Sequence, residues 1–140
     1  MDLENQWHEA FYLYGYEFDK SRPYQYKTID ERTQLIGSLM KLEMDMYNGG
    51  FIQFFCNWGY EAYLLAVRGL EEIKAITAKS LLIESFSIID KYDGDGRIQE
   101  LWDIPSVLSA DEIERLGKID MEYSKDEANI REKMLSHFKN

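Results

Sequence analysis

Apolar residues recur at helical spacing along most of this chain. Leu35, Ile36, Leu39, Leu42 and Met46 fall on one stripe, the 3.6-residue period of an amphipathic helix. The same spacing returns in Tyr63, Leu64, Val67 and Leu70 from about Tyr60, and in Ala78, Leu82, Phe86 and Ile89 over about Ala75 to Asp90. Ile113, Leu116, Ile119 and Tyr123 make a further face, and Ile130, Met134, Leu135 and Phe138 the last. Trp7, Phe11 and Tyr14 predict an N-terminal helix over residues 3–18, with Tyr12 and Tyr16 left for a second face. No run alternates strictly between apolar and polar residues, as a half-buried strand would.

Polar signals divide these stripes. The Ser/Thr-x-x-Glu capping box, in which two side chains satisfy free N–H groups at a helix start, occurs at Thr28-Ile29-Asp30-Glu31, Ser109-Ala110-Asp111-Glu112 and Ser124-Lys125-Asp126-Glu127. The first helix so capped is expected to run to about Tyr47. Asn48-Gly49-Gly50 then stops it, since Asn and Gly tolerate the left-handed backbone of a helix end. A short aromatic turn is expected from Phe51 to Asn57, ended by Gly59, and two loops at about Asp19 to Lys27 and Lys91 to Leu108. The expectation is all-α: a single compact domain, residues 1–140, of six or seven helices packed as a bundle.

Composition narrows the class. The chain has 140 residues, 45% of them hydrophobic and 30% charged, with a formal net charge of −10. That suffices for a core without disulfide or metal staples. Cys56 is the single cysteine. The acidic start, Met1-Asp2-Leu3-Glu4, is unlike a signal peptide, and no apolar stretch approaches the ~18 residues of a membrane span. The expected localisation is cytoplasmic. The charge repels nucleic acid and anionic membranes and attracts basic proteins.

Catalytic chemistry finds little purchase. Cys56 sits among Phe54, Phe55 and Trp58, an apolar setting that keeps a thiol protonated and inert. His8 and His137 lie near opposite ends of the chain, and no phosphate loop, nucleophile elbow or zinc spacing is present. Lys91-Tyr92-Asp93-Gly94-Asp95-Gly96-Arg97-Ile98 resembles the middle of an EF-hand loop. Lys91 and Trp102, however, stand where the first and last calcium ligands belong, and those end ligands carry much of the charge that holds the ion. An Asp-Gly turn accounts for the same residues. The expectation is therefore not an enzyme, with no cofactor and no metal.

Charge is concentrated in one stretch. Residues 84–114 hold nine acids, Glu84, Asp90, Asp93, Asp95, Glu100, Asp103, Asp111, Glu112 and Glu114, against two bases, Lys91 and Arg97, a net −7. Carboxylates one helical turn apart lie ~6 Å apart along the axis, comparable to neighbouring phosphates on a nucleic-acid strand. These nine residues are the candidate partner-binding surface; the plainer reading is a solvated loop and helix face.

The junction after the second helix carries a resemblance. Glu43, Asn48, Gly49, Gly50, Phe51, Gln53, Phe54, Phe55, Asn57 and Gly59 match the pattern of a bacterial family of unknown-function domains that includes a DNA-mimic protein. Asp45-Met46-Tyr47 stands where Val-Asn is more usual, and Trp58 replaces a small residue. The resemblance extends over about residues 30–140. Physically, Gly49 and Gly50 permit a sharp reversal, and Phe51, Phe54 and Phe55 fill the core beneath it. Gln53 and Asn57, four apart, can hydrogen-bond Glu43 or free backbone groups. That cluster is read as structural, with a ligand or partner site as the other possibility.

The resemblance implies an acidic surface that stands in for DNA and occupies a basic, DNA-binding protein, with no direct contact to nucleic acid or membrane. It also admits a homodimer, for which the aromatic surplus of the N-terminal helix could supply an interface or could equally be core. Two alternatives remain open: an immunity-type inhibitor of a basic toxin such as a nuclease, and an enzyme or small-ligand protein with a pocket near Glu43, Gln53 and Asn57.

Overall fold

In a computed structural model the chain is described over residues 2–21 and 26–139; residues 22–25 of the first expected loop lie outside. The described residues form seven α-helices and no strand. The helices are α1 (Leu3–Lys20), α2 (Glu31–Asn48), α3 (Gly50–Glu72), α4 (Ile76–Ile89), α5 (Ile104–Val107), α6 (Ala110–Ser124) and α7 (Glu127–Phe138). α2 is central, packed against α1, α3 and α6, while α7 closes on α1 and α4 bridges α3 and α6. The apolar stripes meet in one core that includes Trp7, Phe11, Leu39, Leu42, Phe54, Leu70, Leu82, Leu116, Ile130 and Met134. Leu64 and Ile113, expected on buried faces, are exposed, and Ala62, Leu65, Ala66 and Gly69 take the interior of α3 instead.

Helix starts differ from expectation in two of three cases. At Ser109 the capping box forms reciprocally: Glu112 N–H donates to Ser109 Oγ at 3.1 Å and Ser109 N–H to Glu112 Oε1 at 2.8 Å. At Thr28 it does not form, because Asp30 takes the N-cap and accepts Thr33 N–H at 2.9 Å, an equally good capping residue two positions later. At Ser124 the chain is still helical, and its hydroxyl donates back to Met121 O at 2.7 Å; α7 starts after Asp126 without a side-chain cap.

The expected aromatic turn is a helix. α3 begins at once at Gly50, whose φ of +81° makes the reversal. Gly49 has a negative φ, −157°, with ψ 6°, so of the two only Gly50 carries the left-handed turn. At Gly59 (φ +88°, ψ −175°) α3 breaks and restarts. Beside that break the Tyr26 hydroxyl donates to the Trp58 carbonyl at 3.0 Å. Tyr26 stacks on Phe18 with centroids 4.5 Å apart, which fixes α1 against the break.

The second expected loop is ordered. It contains 3-10 turns at Asp90–Tyr92 and Leu101–Asp103 and then α5, with Pro105 in its first turn, where a missing N–H costs no helical bond.

Candidate functional site

The family-pattern residues separate into two polar clusters. Glu43 and Asp45 are two apart on α2, roughly 200° around the helix, so they face different neighbours. Asp45 is buried and accepts Trp58 Nε1–H at 2.8 Å, Gln53 Nε2–H at 3.1 Å and, at longer range, Asn57 Nδ2–H at 3.4 Å. Glu43 is buried on the other side, where the Tyr123 hydroxyl donates to Oε1 at 3.1 Å and Arg131 Nε lies 3.5 Å from Oε2. Gln53 and Asn57 therefore reach Asp45, on a different side of α2 from the Glu43 contacts. Burial pushes the Glu43 carboxyl up to about 8, Arg131 pulling the other way without cancelling it.

A third contact closes the junction. Asp120 of α6 accepts the Phe51 N–H at 3.1 Å, capping α3 at an end where Gly49 offers no side chain. Asn48, the last residue of α2, is exposed. Burial raises the Asp120 carboxyl to about 6. Phe51, Phe54 and Phe55 are buried beneath the turn, as their spacing predicts.

The nine acids of residues 84–114 divide by use. Glu112 is buried: Oε1 accepts the Tyr92 hydroxyl at 2.5 Å as well as Ser109 N–H, and Oε2 pairs with Lys91. Those donors, Lys91 foremost, pull its carboxyl down to about 2. Asp95 is half-buried and holds Arg97 through two guanidinium bonds, 3.1 and 2.7 Å, and a backbone bond of 2.9 Å, which lower it to about 2. Asp103 accepts the N–H groups of Gln99 and Glu100 at 2.9 and 3.0 Å. These three brace the loop from within. Glu84, Asp90, Asp93, Glu100, Asp111 and Glu114 are exposed, and of these Glu114 pairs with Lys118 at 3.3 Å on the α6 surface.

The braced loop lines one side of a groove that the sequence did not disclose. Its volume is about 730 Å³, its floor Phe55, Tyr60 and Phe86 with Leu101 and Ile104, and its rim Asp90, Asp93 and Asp95. Tyr60 and Phe86 lie 5.4 Å apart between ring centroids, and Phe55 and Phe86 5.6 Å. Cys56, beside this floor, donates its thiol to Leu101 O at 3.2 Å, and burial pushes it up to about 12. The histidines do not form a pair: His8 packs edge-on against Trp7, and His137 faces Glu72 at 3.4 Å. No helix among the described residues is long and apolar enough to cross a membrane.

These features define an acidic all-α protein with outward carboxylates on α4, on α6 and on the self-braced loop between them. The chain belongs to the DMP19-like protein family, whose model matches residues 27–140, everything after α1 and the first loop. No curated protein and no solved structure matches the chain.

Proposed function

We propose that this protein is a non-enzymatic, cytoplasmic binding module that occupies a basic, DNA-binding protein, its carboxylates standing where DNA phosphates would lie. The observation that carries this reading is the division of labour within residues 84–114. Asp95, Asp103 and Glu112 hold the backbone in place, while Glu84, Asp90, Asp93, Glu100, Asp111 and Glu114 remain exposed. A pre-ordered set of charges binds with less ordering cost than a mobile acidic tail. Membership in the DMP19-like family supports the same reading, through the family's resemblance to a DNA mimic. A second copy of the chain covering the exposed Tyr12, Leu13 and Tyr16 of α1 would extend the acidic surface.

The test is capture of partners from host lysate at low salt, followed by elution with duplex DNA. Release of a basic protein by DNA, with affinity falling steeply as salt rises, is expected, because ion pairs to a phosphate-binding surface are screened and released by salt. A partner that DNA fails to displace would instead identify an immunity-type inhibitor, and absence of any salt-sensitive partner would overturn the reading.

A further inference from the structure

The groove between the braced loop and α3/α4 combines two features that polar surface alone does not supply. Its floor is aromatic, and Tyr60 is 54% exposed although its ring packs against Tyr63 and Phe86. Its rim bears Asp90 and Asp93, both exposed and both without an ion pair to any described residue. The volume of about 730 Å³ falls within the range of binding clefts for small ligands or side chains.

An apolar ligand would leave the rim carboxylates facing it unpaired, and an anion would be repelled by them. An alkylammonium group would meet the carboxylates but use little of the ring faces. A guanidinium is planar, weakly hydrated and able to stack on an aromatic face while its N–H groups fork onto a carboxylate. From this match we propose that the groove is an arginine-anchoring pocket, which receives one arginine side chain from the basic partner, its guanidinium over Tyr60 and Phe86 and its N–H groups on Asp90 or Asp93. This deepens and rests on the basic-partner reading above. It separates specificity, held in the pocket, from long-range attraction, held in the outlying carboxylates. Asp95 takes a supporting part: its carboxylate is already committed to Arg97, so it shapes the rim without competing for the ligand.

The test uses the full chain and three blocked pentapeptides identical except for arginine, lysine or citrulline at the centre, followed by NMR. The arginine peptide is expected to shift ring resonances of Tyr60 and Phe86, with citrulline about tenfold weaker for want of charge and lysine intermediate. Tyr60→Ala, at an exposed position, should weaken the arginine peptide roughly two- to fivefold, and Asp90→Asn with Asp93→Asn should weaken it further, the amide spectrum of each variant remaining folded. Shifts confined to outlying residues such as Glu84 and Glu114, or equal binding of arginine and lysine with no response to Tyr60→Ala, would overturn the pocket. Failure of the two readings is distinguishable. A DNA-displaceable partner that still binds the Tyr60→Ala and Asp90→Asn/Asp93→Asn variants with full affinity leaves the mimic standing and removes the pocket. Arginine-specific ring shifts with a partner that DNA cannot displace do the reverse.

Discussion

The Asp120 carboxylate on α6 accepts the Phe51 N–H at the start of α3, at 3.1 Å, so one helix caps another across the core. The cap works only because Gly50 has no side chain. A Cβ there would lie 2.0 Å from Asp120 Oδ2, and the residue's φ is +81°. Turn, cap and packing of α6 are thus one arrangement, centred on the second glycine of Asn48-Gly49-Gly50.

Gly50→Ala is expected to destabilise the fold by more than ~1 kcal/mol, since alanine at positive φ is strained and here also meets a carboxylate. Urea denaturation of Gly50→Ala, Asp120→Ala and the double variant separates the two costs. If the clash contributes, the double variant should be less destabilised than the two single changes added together. Strict additivity would mean that backbone strain alone makes the glycine necessary.

Asp45 gathers donors from three side chains, of which Trp58 Nε1 is the nearest at 2.8 Å. Asp45→Ala removes the acceptor of that buried indole N–H, at a cost of ~1–3 kcal/mol, and the acceptor of the half-buried Gln53 amide. A clear fall in melting temperature is expected. Asp45→Asn, which keeps acceptor capacity on one oxygen, should fall less, and equal melting of both variants with the parent would remove Asp45 as the organiser of the junction.

The helical stripes were legible because burial enforces their period, and the Ser109 box because its geometry is local. What stayed hidden was set by contacts distant in sequence. Asp45 reads as a departure from the family pattern, yet it is the residue that Gln53 and Asn57 serve. Nothing local marks Asp120 as a cap for Phe51, 69 positions away. Gly59 marks a break on sequence grounds, but the aromatic run before it is helical, since the period of Phe51, Phe54 and Phe55 fits a helix as well as a turn. Glu112 shows a signal that was present and local. As the last residue of a capping box its carboxylate is committed to backbone N–H groups, and that alone separates it from the outward-facing acids. The aromatic floor needs α3, α4 and the 90–104 segment together, and no single stretch announces it.

Stability should depend on pH in two opposite ways. Glu43 is raised to about 8 and Asp120 to about 6 by burial, so between the ordinary carboxylate range and those values the native state holds more protons than the unfolded chain. Stability from these groups is full below about 4 and lost as pH rises, through about 6 for Asp120 and about 8 for Glu43. Asp95 and Glu112, held near 2 by their donors, act in the other direction: their contribution is present above the ordinary range and lost as pH falls toward 2. Urea midpoints should therefore peak in mildly acidic buffer. Glu43→Gln should flatten the decline between about pH 5 and pH 8, and an unchanged slope would show that Glu43 does not titrate in that window.

The division among the acids predicts two separable classes of variant. Replacing Glu84, Asp90, Asp93 and Glu100 by their amides removes four exposed charges without touching the bonds of Asp95, Asp103 or Glu112. Melting should change little, since surface charges contribute little to folding, while affinity for a basic partner and its salt slope should both drop. Asp103→Asn and Asp95→Asn weaken the acceptors of Gln99, Glu100 and Arg97, so these should loosen the 90–104 segment first, seen as faster amide exchange at Gln99 and Glu100. If the exposed set leaves the salt slope unchanged, these four carboxylates are solvated surface, and the attraction resides elsewhere on the molecule.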